Sequence, residues 1–290
     1  MEVILIFNGL GNQMSQYAFY LAKQKKCKHC FPIFYTSTCA HNGSELENIF
    51  GIKYPNNLYA KIASFIYKHY RSNSYFAWAV EKLGVKIVRE PLNYDFHDKY
   101  ISKRGNGLIN YYLGGWHSDK YFNSIAADIK NVFSFNISKE EQSFQDACKT
   151  IQSDLNSESL HVRRGDYLTS KDPFYKFSGV ATEEYYIDAI KYIKKYVSNP
   201  TFYVFSDDIE WCKKTFKGEN IIIVEGNFGK KSWRDMCMMS MCHHHINANS
   251  TFSWWGAWLG ETPDSITICP HQFIRDVETK DIYPDRWIKL

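Results

Sequence analysis

Between residues 160 and 269, short apolar runs alternate with helical periods. Leu160–Arg163, Thr201–Ser206, Ile221–Glu225, His245–Ala248 and Ile266–Cys269 read as strands. Glu183–Val197, the stretch from Asp208 to about Lys217, Ser232 to about Cys242, and Phe252–Leu259 read as helices between them. A helix between two strands is the connection that parallel pairing needs, so this order predicts a parallel, Rossmann-like sheet covered on both faces. Ligands of such sheets bind at the carboxyl ends of strands. His161–Asp166, Ser206–Asp208 and Asn249–Phe252 all fall at predicted strand ends and should converge on one crevice. Thr182 suits the N-cap of the helix that opens with Glu183-Glu184. Tyr167–Val180, with Pro173 and Gly179, reads as a loop.

The N-terminal half begins in the same style. Val3–Phe7 is a strand, Gly9-Leu10-Gly11-Asn12-Gln13 a glycine-rich turn, and Met14–Lys26 a helix whose apolar residues recur at Met14, Tyr17, Ala18, Leu21 and Ala22. Leu58–Arg71 is amphipathic, with Leu58, Ile62, Phe65 and Ile66 on one side; it fits a packed helix or a basic surface helix near a membrane. Gly114-Gly115-Trp116-His117-Ser118 breaks the pattern before a helical Asp119–Val132. Residues 1–150 and 151–290 form the two expected domains, a size suited to two modest α/β layers.

Composition excludes several classes. A formal charge of +4, with basic residues in the short runs Lys23–Lys28 and Lys191–Lys195, is too mild for a nucleic-acid binder. The opening apolar run is too short for a signal segment or a membrane span, which points to a cytoplasmic protein whose eight cysteines are thiols. Neither Cys27…Cys30 nor Cys237…Cys242-His243-His244-His245 has the second ligand pair of a zinc site. The P-loop and the full dinucleotide fingerprint are missing, so a bound phosphate must rely on arginine and helix N-termini.

His161-Val162-Arg163-Arg164-Gly165-Asp166-Tyr167 supplies two guanidiniums at a strand end. Neighbouring side chains of an extended segment point to opposite faces, so Arg163 and Arg164 should do different work. One grips a diphosphate through its fork; the other turns back onto Asp166 or another carboxylate. The alternative is that both serve only ion pairs and helix ends. Asp207 and Asp208 admit a metal-binding reading or, more simply, an N-cap reading.

Four segments taken together resemble the bacterial and animal α-1,2-fucosyltransferases of glycosyltransferase family 11. They are Asn8-Gly-Leu-Gly-Asn-Gln-Met-Ser-Gln-Tyr-Ala18, His161–Tyr167, Phe205-Ser-Asp-Asp208, and Asp235 with Asn249-Ser-Thr-Phe-Ser-Trp-Trp-Gly-Ala-Trp258. Ser15 departs from the family's usual Phe, and Asn8 stands where Gly is common. The resemblance implies an α/β, GT-B-like fold of two facing Rossmann-like domains with parallel sheets. The first would be the acceptor side and the second would bind GDP-β-L-fucose. It further implies inverting transfer of L-fucose to the 2-hydroxyl of a terminal galactoside, with no metal and no cofactor.

Residue by residue, the resemblance makes Arg163 the group that meets the charge on departing GDP. His161 and Arg164 become donor contacts and Asp235 the acceptor for the guanine edge. Ser250, Thr251 and Phe252 are suited to contact phosphate or guanine, and Asp166 to support the motif. Asn12 matches a functional Asn that orients acceptor or fucose; a helix cap is its compatible alternative. Partners would be GDP-fucose and a galactose-terminated glycan, with no nucleic acid and a peripheral contact at the inner membrane left open. Another GDP-sugar or linkage on the same fold, or a non-catalytic glycan-binding protein, are the competing functions.

Overall fold

The computed structural model describes residues 1–35, 42–169 and 176–290. Pro173 and its neighbours in the expected 167–180 loop lie outside the described residues. The chain divides into two compact units, Met1–Ser134 and Phe135–Leu290.

The first unit holds strands β1 (Glu2–Ile6), β2 (Cys30–Phe34), β3 (Val85–Arg89) and β4 (Ile109–Leu113). They pair in parallel in the order β2-β1-β4-β3. β1 is buried along its whole length, as an apolar central strand with both faces covered must be. The first helix is longer than its apolar period suggested and starts at Leu10, with Gly9 at the N-cap. Asn12 therefore lies inside the first turn, and the cap alternative for it is withdrawn. Asn8 adopts φ +66°, which explains why Gly is the common residue there; Asn is among the few side chains that enter this region readily. Asp119–Val132 is not one helix but two 3₁₀ turns followed by Ala126–Val132.

Helix Leu58–Ser72 packs inward through Ala60, Ala63 and Tyr67. Of the stripe visible in the sequence, Leu58, Ile62 and Phe65 face outward, while Ile66 packs partly against the core. The small alanines let the helix sit close to the apolar face of the sheet, so the larger stripe is the one left over.

The second unit holds β5 (Ser157–Val162), β6 (Thr201–Ser206), β7 (Ile221–Ile223), β8 (His244–Ile246), β9 (Thr267–Cys269) and β10 (Ile288–Lys289). All pair in parallel in the order β7-β6-β5-β8-β9-β10. In sequence terms this is 3-2-1-4-5-6, the doubly wound Rossmann order. The expected α/β class with parallel, Rossmann-like sheets is thus observed in each unit.

The junction falls earlier than the 150/151 boundary expected from the sequence. The segment before residue 150 is welded to the second unit. Phe135 stacks on Trp233 at 5.8 Å, and Arg234 donates from Nε to Glu140 at 3.0 Å and from a terminal nitrogen to Glu141 at 3.3 Å. Arg234 is itself buried, so these acids are its necessary counter-charges.

Candidate active site

The second sheet reverses its winding direction between β5 and β8. The crevice outside the carboxyl ends of these two strands is the place where such a sheet binds its ligand. His161 is the penultimate residue of β5, and Arg163, Arg164 and Asp166 follow the strand's end. Ser250, Thr251 and Phe252 follow β8. The two segments meet: the His161 and Phe252 rings are 5.7 Å apart, and the Tyr167 hydroxyl donates to the Asn249 carbonyl at 2.9 Å.

The paired arginines differ as their positions required. Arg163 reaches Asp166 Oδ1 at 2.8 Å through one terminal nitrogen and Asp207 Oδ2 at 3.1 Å through the other. Arg164 turns the other way: its Nε donates to Asp208 at 3.0 Å, and its guanidinium lies 4.2 Å from the Trp211 ring centroid. Asp208 is also the N-cap of helix Ile209–Thr215, accepting from the Trp211 N–H at 3.2 Å. Asp207 has a separate task, since it also accepts from the Arg164 N–H at 2.8 Å. A Cβ at residue 165 would lie 2.8 Å from this Asp207 carboxylate, so glycine is what lets the acid close on the loop. Asp207, which the sequence offered as a metal ligand or N-cap, instead holds both arginines of the motif, and Tyr167 and Trp211 are further positioning residues; their partners are set by strand register, which single-residue patterns do not reveal.

His161 is buried, and among the described residues its Nδ1 has no hydrogen-bond partner. Burial, assisted by the charge of Arg163, lowers its pKa to about 3 and keeps the ring neutral. A neutral imidazole beside an arginine can accept or donate one hydrogen bond without adding charge repulsion.

Helix Thr251–Gly260 points its N-terminus into the same crevice, with Ser250 as N-cap accepting from the Phe252 N–H at 3.3 Å. Its first-turn amides suit an anion. Trp254, Trp255 and Trp258 are buried and anchor the helix. Helix Trp233–Met239 packs alongside in the same sense: a Cβ at Gly256 would meet Met239, and one at Gly260 would meet the Ser240 carbonyl. Asp235 therefore lies toward the end of the pair that holds Ser250–Phe252. Its carboxylate accepts from Asn227 Nδ2 at 2.7 Å, and burial raises its pKa to about 7. Ser232, at the N-cap position of this helix, makes no side-chain cap bond because its own backbone is already helical.

Asn12 belongs to the first unit, in the first turn of the helix that follows β1. The neighbouring glutamines tie that turn to its surroundings. Gln13 donates to the Asn8 and Gly43 carbonyls at 2.7 and 2.8 Å; Gln16 accepts from Phe7 N–H at 2.9 Å and donates to Gly114 O at 3.1 Å. Ser15 is in contact with His117 Nδ1 at 3.0 Å, a polar bond where the family's Phe would have no hydroxyl to offer. Glu90, at the end of β3, accepts from the Gly115 and Trp116 N–H groups at 2.7 Å each. Burial raises its pKa to about 7. Sequence reading passed over Glu90 because nothing near it in the chain marks it; its partners come from the β4 end.

The chain is a glycosyltransferase. The family model for glycosyl transferase family 11 matches residues 3–290, and the chain belongs to that family. It is 32% identical to an α-1,2-colitosyltransferase of Escherichia coli, over 99% of this chain and 98% of the relative. It is also 32% identical to the O-antigen biosynthesis glycosyltransferase WbnK of Escherichia coli, over 97% and 98% of the two chains. The crystal structure of the fucosyltransferase NodZ from Bradyrhizobium shares the fold, with TM-score 0.50 and 12% identity over 92% of this chain and 94% of that one. The protein is therefore a family 11 glycosyltransferase of the GT-B-like α/β class.

Proposed function

We propose that the protein transfers L-fucose from GDP-β-L-fucose, with inversion and without a metal ion, to the 2-hydroxyl of a terminal galactoside. The observation that carries this reading is Arg163 at the end of β5, beside the N-terminus of helix Thr251–Gly260, at the switch point of a family 11 chain. The names of the relatives support the α-1,2 linkage; they include a galactoside α-1,2-fucosyltransferase of Saimiri boliviensis boliviensis, 26% identical over 45% of this chain.

As the glycosidic bond breaks, negative charge gathers on the β-phosphate. The Arg163 guanidinium, with the first-turn amides of the helix, meets that charge. Asp166 and Asp207 fix the fork. Arg164 holds the motif through Asp208 and Trp211. His161 and Ser250, Thr251 and Phe252 complete the donor contacts. Asp235 accepts from guanine N1–H and N2–H, and Asn12 orients the attacking hydroxyl or the fucose.

Incubation with GDP-fucose and lactose in chelator, followed by mass spectrometry, tests the activity; GDP-colitose in place of GDP-fucose tests the competing donor. Product from neither donor with any galactoside, in a protein that still binds glycans, favours a glycan-binding protein. Asp235 adds a separate check. A carboxyl protonated near neutrality that must accept from guanine will release a proton when GDP binds. Calorimetry at pH 6.5 in buffers of different ionisation enthalpy should show that release, and Asp235→Asn should abolish it along with most of the affinity.

The outward stripe on Leu58–Ser72 supports a peripheral membrane contact for the acceptor side, with basic residues Lys61, Lys68 and Arg71 on the same helix.

A further inference from the structure

The first sheet also has a switch point, between β1 and β4. Beside it, at the carboxyl edge and under the C-terminal end of helix Leu58–Ser72, lies a cavity of 360 Å³. That volume falls within the range of small-ligand sites. Its walls are aromatic and cationic: Tyr35, Tyr67 and Tyr70 supply rings, Arg71 and Arg89 supply charge, and Asn8 sits at the edge where the Asn12 turn begins.

Both guanidiniums lack an acid. The Arg71 guanidinium rests 4.6 Å from the Tyr35 ring centroid and Arg89 leaves the end of β3; among the described residues neither forms an ion pair. The two nearby acids are engaged elsewhere. Glu81 accepts from the Tyr70 hydroxyl at 2.6 Å, and Glu90 turns its carboxylate under the Gly115 and Trp116 amides. Tyr67 is held against Tyr111 at 5.2 Å and edge-on to Tyr35 at 5.3 Å, so two walls of the cavity are braced. Aromatic faces accept the C–H face of a sugar ring, and a pair of arginines accepts a carboxylate or phosphate through forked N–H donors. A neutral sugar would leave both positive charges unanswered.

We infer that this cavity is an acceptor subsite for an anionic sugar unit, its ring against the tyrosines and its carboxylate or phosphate between Arg71 and Arg89. The inference deepens the transferase reading by naming the acceptor class, and it rests on that reading's assignment of the acceptor to the first unit.

Calorimetric titration of the full chain with three probes tests it: a galactosyl-glucuronic acid disaccharide, a galactoside phosphate, and lactose. One or both anionic probes should bind at least tenfold tighter than lactose, the advantage shrinking as salt rises. Whichever anion wins identifies the source of the charge. Arg71→Gln and Arg89→Gln should each reduce the winning probe to the lactose level, and Arg71→Lys should keep only part of the preference. GDP affinity should not move, which also shows that the variants fold. Equal binding of charged and neutral probes, no binding of any, or a preference that survives both Gln variants overturns the inference. Failure of the transferase reading has a different signature: anionic selectivity persists while no sugar transfer occurs.

Discussion

Arg163 is suspended between two carboxylates, Asp166 and Asp207, each taking a different terminal nitrogen. A lysine placed there keeps the charge but has one ammonium to offer, and it cannot hold both acids and face a phosphate together. Arg163→Lys should therefore lose on the order of 10²–10³ in kcat, the usual loss for one electrostatic donor, while thermal stability changes little. Turnover within a few-fold of the parent would show that the diphosphate is gripped elsewhere. That Arg163 and Arg164 turn to different partners was legible in the sequence, because alternation along a strand is a local rule; that both would hold carboxylates was the alternative reading. The part of Asp207 was not legible, since only the parallel register of β5 on β6 brings it back across forty residues to the Arg164 amide. Asn8 lies between these cases: its departure from Gly was visible, but its reason, φ +66°, needed the backbone.

At the scale of elements, helices Leu58–Ser72 and Ser74–Lys82 leave large side chains in water, among them Leu58 at 68%, Phe65 at 58%, Tyr75 at 85% and Trp78 at 63% exposure. The charges beside them are Lys61, Lys68, Arg71 and Lys82 against a single acid, Glu81. Apolar and aromatic side chains with a basic fringe suit an anionic bilayer surface, where each basic residue contributes about 1 kcal/mol. The protein should co-sediment with phosphatidylglycerol vesicles and much less with phosphatidylcholine. Phe65→Glu with Trp78→Glu should cut that binding at least tenfold, and 0.5 M salt should weaken it. Indifference to lipid charge and to both substitutions would leave the stripe without this role. Periodicity found the helix but not its orientation, because Ala60 and Ala63 weigh less in a hydrophobic pattern than the leucine and phenylalanine they outcompete for the sheet. The strands β2, β3 and β4 escaped for a related reason: each is five residues long, and its identity comes from distant parallel partners.

Across the whole molecule, burial of ionisable groups sets a window of stability. His117 and His161 are lowered to about 3 and His244 to about 4, chiefly by burial. Their contribution is complete above the ordinary 6.5 and declines as pH falls below it toward 3. Glu90 and Asp235 are raised to about 7, and Glu158, whose two buried oxygens have no hydrogen-bond partner among the described residues, is raised well above 4.5. Their contribution is complete below the ordinary carboxylate range and is lost as pH climbs through 7. Melting temperature should peak in mildly acid buffer and fall on both sides. Glu90→Gln, which keeps an acceptor for the Gly115 and Trp116 amides, should flatten the fall between pH 5 and 8. A melting temperature that climbs steadily over that range would contradict the assignment.

The helix capped by Ser250 carries Trp254, Trp255 and Trp258, with the Trp254 and Trp258 rings nearly parallel at 10° and 6.1 Å apart and Trp287 5.5 Å from Trp254. Indoles this close and this fixed share their excitation, so the second unit contains a coupled chromophore rooted one turn from the candidate phosphate site. Near-ultraviolet circular dichroism and emission anisotropy should therefore report the folding of this unit, and nucleotide occupancy beside it, without any attached label.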